Sequence, residues 1–183
     1  LISPFSQSTE PSQPHADAAT ATLLELPRGM SGTIAEAGET DFYRFVAFKD
    51  RHYAFEIYSR RLGLPTDSLI ELYDSDGKLL TEADDHAVAK SKDSRLFWKA
   101  PADGEYVIAV RDLHGRGGVE FLYYLEAREA APDFELQGEY YYSMLAPGTR
   151  MIWFAQVERF HGFDGPVELQ VVGLPQGVKQ TPI

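Results

Sequence analysis

Residues 67–85, DSLIELYDSDGKLLTEADD, and residues 94–111, SRLFWKAPADGEYVIAVR, decide the fold class of this chain. Apolar runs at 69–73 and 79–80 flank the turn Asp74-Ser75-Asp76-Gly77. Those at 96–100 and 106–110 flank Pro101-Ala102-Asp103-Gly104. A Gly closing each turn suits the positive φ of a tight hairpin, and Asp or Ser beside it bonds the local backbone. Two antiparallel hairpins are the expectation, and with them a β domain. Neither stretch offers catalytic machinery.

Working outward, alternation sets the faces. Tyr43 and Phe45 share one face with Arg44 opposite, and Tyr53, Phe55 and Ile57 repeat the pattern. The inward set continues through Leu72, Leu96, Trp98, Tyr106, Ile108, Val110, Tyr123 and Leu125, which places Trp98 in the core with Tyr43, Phe55 and Tyr106. Short strands are also expected at 23–26, 31–35 and 120–128. Strand signals recur at short spacing between residues 20 and 129 with no capped helix, the pattern of a β-sandwich. Residues 1–19, with Ser, Gln and three prolines, read as a linker or the tail of an upstream domain. After a break at Ala130-Ala131-Pro132-Asp133, residues 131–183 offer about four more strands, near 134–137, 139–144, 150–157 and 166–172. A sandwich of the immunoglobulin type needs about seven, so this second module reads as partial, with exposed edges open to self-association.

A chain of 183 residues with 44% hydrophobic and 13% aromatic residues can bury a core. No run reaches the roughly 18 apolar residues of a membrane span. The first residue is Leu1, and no basic segment precedes an apolar one. That pattern is expected of a piece or a processed chain whose export signal lies elsewhere. Cysteine is absent, which excludes disulfides and thiol chemistry. Net charge is −11, and residues 67–85 hold seven acids against Lys78. Such a field repels nucleic acid and attracts a divalent cation or simply solvates.

Four segments, taken in order, resemble the bacterial pre-peptidase C-terminal domain: SGTIAEAGETDFYRF, DSLIELYDSDGKLLTEADD, SRLFWKAPADGEYVIAV and GRGGVEFLYYLEARE. Asp41, Tyr43, Phe45, Leu72-Tyr73-Asp74, Gly77, Asp84-Asp85, Ala100-Pro101, Gly104, Tyr106, Tyr123 and Leu125 carry the match, which spans residues 20–129. The segment HGFDGPVELQVVGLPQGV resembles the onset of an immunoglobulin-like domain. The resemblance implies an all-β chain: an antiparallel, jelly-roll-like β-sandwich over 20–130, then a partial immunoglobulin-like β module over 131–183. It further implies a non-catalytic accessory module of a secreted bacterial protein, related to collagen-binding domains that use calcium. In those relatives the ion lies between a preceding acidic linker and aspartates ahead of the aromatic strand. Glu39 and Asp41 match the latter, and the linker here supplies Glu10, Asp17 and Glu25.

From the residues themselves, Asp84 and Asp85 are the foremost metal ligands. Adjacent carboxylates in a loop are costly unless solvated or neutralised, and calcium takes six to eight such oxygens. Asp67 is a third ligand if the hairpin returns the chain to it, and Asp41 joins the set through the resemblance. Asp74-Ser75-Asp76-Gly77 lacks the ligand spacing and helices of an EF-hand and reads as a turn. His15, His52, His86, His114 and His161 stand singly, without zinc spacing. No Gly-x-Ser-x-Gly elbow is present, and Gly115-Arg116-Gly117-Gly118 lacks the strand-to-helix setting of a phosphate loop. Arg60, Arg61, Arg111 and Arg116 are expected to pair with acids or lie in solvent. Tyr140, Tyr141 and Tyr142 place aromatics on both faces of a strand. The sequence thus points to a binding or adhesion module at an extracellular or periplasmic surface, engaging protein or polysaccharide. The alternative is a structural spacer with no ligand of its own, and neither is an enzyme.

Overall fold

The computed structural model describes residues 4–11, 17–86, 91–138 and 144–181. His15 and Tyr140-Tyr141-Tyr142 lie outside these. The chain divides into two units, Leu1–Ala131 and Pro132–Ile183.

The first unit is a β-sandwich of two five-stranded sheets. One runs β1 (Gln7–Thr9), β3 (Arg28–Thr33), β10 (Leu122–Glu129), β5 (His52–Tyr58), β8 (Arg95–Lys99). The other runs β2 (Thr22–Leu23), β4 (Thr40–Ala47), β9 (Gly104–Asp112), β6 (Ser68–Tyr73), β7 (Leu79–Ala83). The edge pairs β1–β3 and β2–β4 are parallel, and the remaining pairs are antiparallel. The period-2 alternation read from the sequence places Tyr43, Phe45, Phe55, Ile57, Ile70, Leu72, Ile108, Val110 and Leu125 between the sheets, all essentially inaccessible. Trp98 differs from expectation. It is only partly buried at one end of the core, edge-on to Tyr106 with ring centroids 4.6 Å apart and near Phe45 and Tyr53.

Of the two expected hairpins one forms. β6 and β7 pair across the Asp74 turn, where Asp74 Oδ1 accepts the Asp76 and Lys78 N–H groups and Gly77 has φ 77°. β8 and β9 instead belong to different sheets, so Pro101-Ala102-Asp103-Gly104 is an arch over the end of the sandwich. Tertiary bonds fix it: Ala100 is fully buried, its N–H donates to Arg51 O, and its carbonyl accepts Asp50 N–H. Gly104 is not in the left-handed region and sits opposite Ala47.

Part of the segment read as a linker is also structural. Gln7–Thr9 is a sandwich strand, held because the free edge of β3 offers a backbone ladder that local sequence does not reveal.

The second unit contains β11 (Asp133–Gly138) paired antiparallel with β12 (Ala155–Phe160), and its other described residues form no strand. The strand expected near 166–172 is absent. There the Gln180 side chain donates to Leu169 O and accepts Val171 N–H, the two groups a neighbouring strand would use.

Candidate functional site

Three features of the first unit carry side chains of chemical interest. The first lies at one end of the core. Asp41, the first inward residue of β4, is 2% exposed, and its Oδ2 accepts the Tyr123 hydroxyl at 2.6 Å. Tyr43 and Tyr123 hydroxyls are 2.5 Å apart. Because the Tyr123 proton points to Asp41, Tyr43 donates to Tyr123. Burial, then the Asp41 charge, holds the Tyr43 phenol well above its ordinary range. Burial, then Tyr43 and Asp41, does the same for Tyr123, so both remain donors at neutral pH. Glu10, just after β1, reaches the same end, with its Oε1 accepting Thr33 N–H at 2.8 Å. A Cβ on Gly32 would lie 2.4 Å from Tyr123 Oη and 2.7 Å from Glu10 Oε2, so the glycine makes room for both.

A second feature is a set of carboxylates spent on backbone. Asp93, fully buried, accepts N–H groups of Ser59, Arg60 and Arg61 and the Arg61 guanidinium at 2.8 Å. Asp112 binds Arg116 at 2.8 Å and accepts N–H groups of Asp67, His114 and Arg116. Burial pushes its carboxyl upward, but Arg116 and those three donors outweigh burial and hold it at about 2. Arg111 pairs with Glu71, so three of the arginines noted in the sequence do pair with acids.

The four aspartates expected to hold calcium do not gather at one point. In register, Asp41 faces Val110, Val110 faces Ile70, and Ile70 faces Ala83. Asp84 thus starts three strand spacings from Asp41, about 14 Å. Asp67, Asp84 and Asp85 do share a neighbourhood. Lys92 bonds Asp85 at 3.1 Å, and that contact first, then the charges of Asp67 and Asp84, raises its pKa. Asp67 Oδ2 lies 3.4 Å from His114 Nε2, and its buried Oδ1 has no hydrogen-bond partner among the described residues. No three His, Asp or Glu side chains among the described residues close around one point as a metal group would.

The third feature escaped the sequence. A groove of about 640 Å³ is lined by Phe5, Leu23, Leu26, Val46, Phe48 and Arg128, among others. Val46 and Phe48 take the outward parity of the strand that buries Phe45 and Ala47, and are 53% and 52% exposed. That break in alternation is the signal the sequence offered.

No family model matches the chain, and no curated protein matches it. Solved structures similar to it include the following two. One is the pre-peptidase C-terminal domain of collagenase from Bacillus anthracis, 14% identical, with a TM-score of 0.47 over 59% of this chain and 94% of that one. The other is PliG of Aeromonas hydrophila, a periplasmic lysozyme inhibitor of g-type lysozyme. It is 12% identical, with a TM-score of 0.46 over 68% of this chain and 98% of that one. The likeness is one of fold. The Bacillus domain is of the family whose motifs the sequence resembles. No helix among the described residues is long and apolar enough to cross a membrane.

Proposed function

We propose that this chain is a non-catalytic accessory module of a larger exported bacterial protein, and that it binds an extracellular protein or polysaccharide. One observation supports this most. Asp41, Asp93 and Asp112 and the Tyr43 and Tyr123 phenols are engaged in holding strands and turns, while the sandwich carries an open apolar groove without a paired acid and base. Immobilised chain should retain at least one of collagen, gelatin, peptidoglycan or an acidic polysaccharide in a salt-resistant manner, and should turn over none of a broad panel of hydrolase substrates. Turnover would end the reading. Retention of nothing would favour the spacer.

Calcium is a separate arm of the proposal, confined to the loop of Asp84 and Asp85 with Asp67. The cation there at present is Lys92, so an ion would compete with its ammonium. Binding to the native state alone raises stability. Millimolar calcium should therefore raise Tm, a chelator should reverse this, and Asp84→Ala/Asp85→Ala should abolish it. An unchanged Tm removes calcium from the reading.

A further inference from the structure

We draw no further inference here: the strongest candidate, the open apolar groove of the first unit lined by Leu23, Val46 and Phe48, carries nothing because nothing in the structure shows what covers it.

Discussion

Gly32 is glycine for lack of space. An added Cβ would stand 2.3 Å from the Tyr123 ring and 2.7 Å from Glu10 Oε2, and neither neighbour is free to move. Tyr123 is tied to Asp41 and Tyr43, and Glu10 to Thr33. Gly32→Ala should cost about 2–3 kcal/mol by overpacking and lower Tm by roughly 5–10 °C. A melt within a degree of wild type would mean that Tyr123 and Glu10 are not held against Gly32. Asp112 gives a pH test at the same scale. Its carboxyl is held at about 2 against an ordinary 3.8, so it favours the folded state above pH 4, and that contribution disappears as pH falls through 2. It amounts to about 2 kcal/mol at neutral pH. The stability gap between wild type and Asp112→Asn in urea melts should therefore be widest above pH 5 and narrow toward pH 2. A gap that is flat with pH would show that the Arg116 contact does not set this titration. At this scale the sequence was informative where geometry is periodic. Tyr43, Phe45 and Ile108 could be placed inward because alternation is a property of the strand itself. The meeting of Glu10 with Tyr123 could not, because it depends on which edge a distant segment joins.

At the scale of elements, turns that look alike in sequence diverge. Both Asp74-Ser75-Asp76-Gly77 and Pro101-Ala102-Asp103-Gly104 carry turn chemistry, yet one joins paired strands and the other crosses between sheets. Local residues dictate that the chain reverses. Which strands then pair is decided by the partners of their edges, and β5 claims β8 before β9 can. The crossover from β5 to β6 shows how such choices are fixed. It contains a single 3₁₀ turn, Arg60–Leu62, with no side-chain cap of its own. Asp93, more than 30 residues later and just ahead of β8, supplies the acceptors for Ser59, Arg60 and Arg61. Ser68 and Ser94 hydroxyls bond 2.7 Å apart nearby, joining the approach to β8 with the start of β6. Asp93→Ala would leave three backbone N–H groups and the Arg61 Nε–H without their acceptor. The expected loss is about 3–5 kcal/mol, and Asp93→Asn should recover only part of it. Hydrogen exchange should show the 59–63 amides losing protection first. If Asp93→Ala melts like wild type, the latch is not what holds the crossover. The aspartates suggested for calcium show the same limit of sequence reading. Adjacency of Asp84 and Asp85 was visible, whereas their separation from Asp41 by three strands follows from sheet order.

At the scale of the molecule, the two units differ in how much apolar surface they remove from water. The first buries 20 of its described residues in one contiguous cluster. In the second, none of the described residues between 132 and 181 is buried, and Leu136, Ile152, Trp153, Phe154 and Leu169 stand well exposed. Its contacts among the described residues are local ones, such as the β11–β12 ladder, the Phe134 and Phe163 rings 5.0 Å apart, the Arg159 bond to Gly165 O, and the Gln180 clamp. A two-stranded ladder without a covered face is marginal in water, because its backbone ordering cost is not offset by apolar burial. Residues 132–183 expressed alone should therefore show no cooperative thermal transition, and should aggregate or stay expanded in size-exclusion chromatography. Residues 1–131 should melt in one transition, and at a higher temperature than residues 20–131, which lack β1 and the Glu10 contact. A cooperative, monomeric 132–183 would refute this account of the second unit. Equal melting of 1–131 and 20–131 would refute the structural role given to the N-terminal strand. The two outcomes are independent, because β1 pairs with β3 and Glu10 accepts from Thr33, both within residues 1–131.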